Sequence, residues 1–126
     1  LRIKGNILQY SSAGMPPMYL YRFISNTVDE ISMNGMPLGA INEFDYQLYE
    51  TELQSGDCIL LLSDGYPELS NDKNEQVGYD RVKSQFAEIS NRRPDEIVDY
   101  FKNRGSDWVA DSEPDDDVTF VVIKVK

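Results

Sequence analysis

The segment Cys-Ile-Leu-Leu-Leu at residues 58–62 constrains the fold of this chain more than any other. It is the most hydrophobic stretch of the sequence, and turn-forming residues bound it on both sides: Gln-Ser-Gly-Asp at 54–57 and Ser-Asp-Gly at 63–65. A short, continuous apolar run between turns fits a strand buried on both faces, which belongs at the centre of a sheet rather than at its edge. Asp64 therefore sits at the mouth of a buried strand, where an unpaired carboxylate is costly.

The segments before this strand read as further strands and turns. Residues 6–13 and 19–23 are β-rich, residues 28–33 and 46–53 alternate apolar with polar side chains, and the glycines and prolines of 14–18 and 34–40 break them. The segments after it change character. Val82, Phe86 and Ile89 recur at helical spacing and predict a helix over 78–90. Pro94 suits the first turn of a second helix, Asp95 and Glu96 complement its dipole, and Ile97, Phe101 and Trp108 continue its apolar stripe. Gly105 either ends that helix or allows close packing. Residues 118–125 read as a last strand, expected over 119–125 to be central and buried like 58–62. Strands in one block and helices in another argue an α+β fold with a mostly antiparallel sheet and two helices in the C-terminal half. Neither an internal repeat nor a linker divides the 126 residues, so 1–126 reads as part of one domain.

Charge and composition narrow the chemistry. With 22 acidic against 12 basic residues the formal net charge is -10, which repels nucleic acid and anionic membrane surfaces. The chain has one cysteine and no histidine. That excludes a disulfide framework, a zinc site of thiolates and imidazoles, and a histidine-based charge relay. Any metal chemistry must use oxygen ligands, pointing to Mg²⁺, Mn²⁺ or Ca²⁺. No apolar run approaches the ~20 residues that span a bilayer, and no signal peptide is visible, so the expected location is cytoplasmic. A start at Leu1 rather than Met suggests a piece of a longer protein.

Two acidic groups stand at the ends of the most apolar strands: Asp64 after residues 58–62, and Asp115, Asp116 and Asp117 before the last strand. If the strands are neighbours these carboxylates converge, and convergent carboxylates raise one another's pKa or bind a cation. Mg²⁺ and Mn²⁺ accept one or two carboxylates each and keep several waters. By spacing alone, an ordinary Asp-Gly turn and a solvated acidic loop are the more economical explanation. Residues 72–83 are not a calcium loop, because Val77 and Lys83 stand where glycine and glutamate are required. Cys58 lacks a basic partner and reads as a small core residue. Arg92 and Arg93 fit a phosphate site or a surface turn.

Taken in order, "YSSAGMPPMYLYR", "NGMPLGA", "LQSGDCILLLSDGYPELSN", "VGYDRVK" and "DDDVTFVVIKVK" resemble the metal-dependent protein phosphatases, in the branch named for sporulation stage II protein E. The resemblance runs over nearly the whole chain. It implies the C-terminal part of a four-layer α-β-β-α sandwich, similar to protein phosphatase 2C, that hydrolyses phosphoserine or phosphothreonine with two Mn²⁺ or Mg²⁺ ions. By that resemblance Asp64 and Asp116 are metal ligands, with Gly65, Glu68, Asp117 and Thr119 as supporting motif residues and no catalytic residue beyond the ligands.

The resemblance further implies bacterial signal transduction, a phosphorylated protein substrate such as an anti-sigma factor antagonist, and an upstream sensor domain in a parent free to be membrane-anchored. Two positions depart from the family pattern. Met15 stands where histidine is usual, and the upstream Gly-Asp motif, whose aspartate bridges both ions, has no counterpart here; Gly56-Asp57 lies in a turn. The expectation is that residues 1–126 alone are inactive and prone to self-association. The alternatives are a catalytically inactive phosphatase-fold interaction module and an acidic binding domain without metal.

Overall fold

The computed structural model describes residues 1–110 and 116–126. Seven strands and two helices follow in chain order: β1 (Arg2–Lys4), β2 (Ile7–Tyr10), β3 (Met18–Arg22), β4 (Thr27–Ile31), β5 (Tyr49–Glu52), β6 (Cys58–Leu62), α1 (Tyr79–Ile89), α2 (Pro94–Val109) and β7 (Phe120–Lys124). The strands form a three-stranded sheet in the order β1-β2-β5 and a four-stranded sheet in the order β4-β3-β6-β7. Every pairing is antiparallel.

The alternation of side chains across the four-stranded sheet builds three layers. Tyr19 and Tyr21 of β3 and Cys58, Leu60 and Leu62 of β6 face the helices, packing with Val82 and Phe86 of α1 and Ile97 and Phe101 of α2. Met18 and Leu20 of β3 and Ile59 of β6 point the other way, onto Leu8 and Tyr10 of the smaller sheet and Leu53 just after it. Two cores thus sandwich β6, which is why its sequence has no polar position. The helices cover one face only, giving an α-β-β stack.

Helix α2 runs through Gly105 instead of ending there. A Cβ at Gly105 would stand 3.2 Å from both Leu69 Cδ1 and Tyr66 Cε2, so the missing side chain lets the helix lie close on the loop that follows β6. Pro94 occupies the first turn, and the Arg93 amide donates to Glu96 Oε2 at 3.0 Å. α1 begins and ends one residue inside the expected 78–90. One element goes unforeseen. Gly5, with φ of 61°, and Asn6 make a two-residue turn that folds β1 onto β2.

The last strand departs from expectation. β7 lies at the edge of its sheet, and β6 is its strand partner among the described residues. It is half-buried, with Val121 46 % exposed. Its apolar run reflects partial cover on two sides. On the helix side, a cavity of about 630 Å³ is lined by Phe101, Gly105, Val118 and Phe120 among others. On the other, one of about 420 Å³ is lined by Met15, Met33, Leu61 and Val121 among others. Neither lining packs β7 as tightly as the two cores pack β6.

Candidate metal site

The register of β6 and β7, which pairs Leu62 with Phe120, continues past the ends of both strands. The Ser63 amide donates to the Thr119 carbonyl at 3.1 Å. The Ser63 hydroxyl then donates to the Asp117 carbonyl and accepts from the Thr119 amide, each at 3.0 Å. Gly65 completes the contact, because a Cβ there would stand 2.4 Å from the Asp117 carbonyl oxygen, nearer than a carbon can approach. Residues 63–65 and 116–119 therefore run backbone against backbone at one end of the sheet.

Each carboxylate is positioned by its own turn. After Asp64 the chain doubles back, with the Glu68 amide donating to the Asp64 carbonyl at 3.0 Å. Tyr66 anchors this turn. Its ring meets Phe101 and Phe120 edge-on at centroid distances of 5.3 and 5.1 Å, and its hydroxyl donates to Gln85 Oε1 at 2.9 Å. Burial pushes the Tyr66 phenol up to about 12, so it stays protonated. Asp64 and Glu68 remain exposed on the outer side of the turn. Asp116 and Asp117 are exposed too, and the Asp117 amide donates to Asp116 Oδ1 at 2.7 Å.

Glu68 and Asp116 share a small polar cavity of about 110 Å³, lined also by Gly65, Ser70 and Gln76. Asp64 is not among its lining residues. Instead, Asp64 and Glu68 both act on Tyr79 at the start of α1, whose phenol is raised first by burial and then by these two charges. Among the described residues no group of three or more cysteine, aspartate or glutamate side chains closes into a metal cage. The donor set is all oxygen, exposed and anionic. That chemistry suits a Mg²⁺ or Mn²⁺ ion that keeps much of its water.

The structure thus brings the turns bearing Asp64, Gly65 and Glu68 against those bearing Asp116, Asp117 and Thr119. Asp115 lies outside the described residues. Asp57 is elsewhere and has another task. Its buried carboxylate accepts from the amides of Phe23 and Gln54 at 2.9 and 3.0 Å and from Arg22 Nη1 at 3.3 Å, tying the turn before β6 to the end of β3. Cys58 is buried, and burial pushes its thiol up to about 11, which leaves it unreactive. Two neighbours of these turns escape sequence reasoning: Ser63, whose contacts are visible only once β6 and β7 pair, and Tyr79, which the sequence places only within the first helix.

Comparison with known proteins places this geometry in a family. The sequence model of the Stage II sporulation protein E (SpoIIE) family matches residues 1–126. Phosphoserine phosphatase RsbU of Bacillus subtilis is 37 % identical over 59 residues, which is 47 % of this chain and 18 % of that protein. Stage II sporulation protein E of the same organism is 25 % identical over 117 residues, or 93 % of this chain and 14 % of that protein. Among solved structures, the SiaA-PP2C domain of Pseudomonas aeruginosa superposes with a TM-score of 0.82 at 16 % identity, over 96 % of this chain and 47 % of that one. The PP2C phosphatase domain of Bacillus subtilis SpoIIE, solved with a fragment of its regulatory domain, gives 0.77 at 24 % identity, over 94 % of this chain and 34 % of that one. The chain spans under a fifth of the length of the two curated relatives and about half of the SiaA domain. The three layers seen here are part of the PP2C-like sandwich.

Proposed function

This chain belongs to the SpoIIE family of PP2C-like phosphatase domains, and from that premise we propose that it contributes Asp64 and Asp116 to a divalent-metal centre that hydrolyses phosphoserine or phosphothreonine in a protein substrate. The observation that carries the reading is the meeting of both motif turns, residues 63–65 and 116–119, at one end of the β6–β7 pair. Bound Mn²⁺ or Mg²⁺ would supply Lewis-acid polarisation of the phosphoryl group and a more acidic water. The chain's part is to hold the two carboxylates on rigid strand ends. Gly65 keeps their turns in contact, and Glu68 and Asp117 add negative charge beside them. β6, packed on both faces, fixes the position of Asp64 against the ion's pull.

Phosphoserine as substrate accords with the name of the relative RsbU. A phosphorylated anti-sigma factor antagonist in a bacterial signalling pathway is the partner that the family resemblance implies. A second reading, an inactive phosphatase-fold interaction module, is favoured by the lack of a third clustered carboxylate among the described residues. Hydrolysis of p-nitrophenyl phosphate separates the two. Residues 1–126 and a longer chain extended upstream to the length of the solved domains are assayed with millimolar Mn²⁺. Turnover by the longer chain, abolished by Asp64→Asn, supports the enzyme. A folded longer chain without turnover on this substrate or on a phosphoserine peptide supports the module.

A further inference from the structure

Nothing in the motif reading gives the residue before Asp64 a task, yet Ser63 makes more contacts with the opposite turn than any of its neighbours. Its amide continues the ladder to Thr119, and its hydroxyl spans the two peptide groups on either side of Val118. The hydroxyl thereby replaces the next rung of the sheet. A backbone rung would hold one residue of the opposite chain, whereas this side chain holds both the Asp117 carbonyl and the Thr119 amide. The residues it ties down are those that follow Asp116, and the residue that carries it precedes Asp64.

We propose that Ser63 is a positioning residue: its hydroxyl fixes the separation between the turns bearing Asp64 and Asp116, and so sets the affinity of the site for a divalent ion. This deepens the metal reading of Asp64 and Asp116 and rests on it. A hydroxyl can donate and accept at once, so one side chain satisfies an orphan carbonyl and an orphan amide that the ladder has left behind. Carboxylates on two separate exposed turns would otherwise repel one another apart. Groups that orient metal ligands in this way change affinity by about 10–100-fold when removed. Serine and threonine both carry the needed hydroxyl; alanine and cysteine do not reproduce it.

The probe is Mn²⁺, followed by electron paramagnetic resonance of the free ion, together with amide hydrogen exchange at Thr119. Ser63→Ala should weaken Mn²⁺ binding about 10-fold or more and speed exchange at Thr119, leaving exchange at Leu61 and Val121 within the ladder unchanged. Ser63→Thr should restore affinity to within about 3-fold of the parent protein. If Ser63→Ala fails to fold, Ser63→Cys, close in volume and a poor hydrogen-bonding partner, carries the test with the same expectation. Asp64→Asn is the reference. Loss of Mn²⁺ binding in Asp64→Asn with parental affinity in Ser63→Ala would overturn the positioning role and leave the metal reading standing. Parental Mn²⁺ affinity in both variants, or no binding by the parent at millimolar Mn²⁺, would overturn both.

Discussion

Replacing Gly65 by alanine presses on the contact that joins the two motif turns. The added Cβ would lie 2.4 Å from the Asp117 carbonyl oxygen and 3.0 Å from its carbon, both backbone atoms with no rotamer to escape into. Restoring an ordinary carbon–oxygen contact of about 3.3 Å requires the carbonyl to retreat by about 0.9 Å. The Ser63 hydroxyl bond to that carbonyl, now 3.0 Å, would then open to nearly 4 Å at about the same displacement, beyond hydrogen-bonding range. Its partner bond from the Thr119 amide lies on the same hydroxyl and loosens with it. Two hydrogen bonds at about 1 kcal/mol each, with residual strain, put the cost at about 2–3 kcal/mol. Gly105→Ala is the matched control. Its contacts at 3.2 Å, a leucine methyl and the edge of the Tyr66 ring, need give by only a few tenths of an ångström, and the gain in helix propensity of about 1 kcal/mol works against that strain, so its net cost should fall below that of Gly65→Ala. Urea unfolding followed by the fluorescence of Trp108 reads both, since that indole donates to the carbonyls of Leu69 and Glu75 and is released on unfolding. A Gly65→Ala midpoint within about 0.5 kcal/mol of the parent, inside the usual range of a neutral surface change, with the Thr119 amide still protected, would refute the argument.

Burial separates two adjacent leucines on β6. Leu60 is fully buried and Leu61 only half-buried beside a cavity, so Leu60→Ala should cost about 2–5 kcal/mol and Leu61→Ala clearly less in the same urea assay. Asp57→Asn places an NH₂ or a weaker acceptor against the amides of Phe23 and Gln54, and should cost about 1–3 kcal/mol by the same measurement. The Cys58 thiol and Tyr66 phenol are raised, chiefly by burial, from 9.0 to about 11 and from 10.0 to about 12. A raised acid stabilises the fold below its unfolded value and ceases to do so as pH climbs through the folded one, so urea midpoints should fall progressively above about pH 9. Cys58→Ala should lack the component between 9.0 and about 11.

Local periodicity carries most of what the sequence reveals of this fold. Val82 and Phe86, and Ile97 and Phe101, mark helix faces because neighbours on a helix are neighbours in sequence. The run at β6 marks a strand between two cores for the same reason. What lies outside that information is pairing. The apolar residues of β7 say that both faces are covered, not that the strand has a partner on each side, and so the edge position was illegible. The hairpin of β1 and β2 turns at Gly5 and Asn6, and although Leu1 to Lys4 alternates apolar with polar side chains, that run is too short to mark a strand by periodicity alone. At the site, Asp64 and Asp116 are recognisable as motif residues. Ser63 and the shared Glu68–Asp116 cavity emerge only when segments far apart in sequence, residues 63–68 and 116–119, are set side by side, and Tyr79 only when the start of α1 is folded back beside Asp64 and Glu68. Asp57 shows the converse, since a Gly-Asp pair that reads as an exposed turn is a buried carboxylate satisfied by backbone amides.

Asp64 and Asp116 are proposed to bind one divalent ion together. Isothermal titration of Mn²⁺ into the parent protein, Asp64→Asn, Asp116→Asn and, as an acidic control on the outer face of α2, Asp99→Asn tests it most directly. Saturable binding is expected of the parent and of Asp99→Asn, with each of the other two weakened at least about 10-fold, the range seen when groups at a metal site are lost. Parental binding in both Asp64→Asn and Asp116→Asn would contradict it.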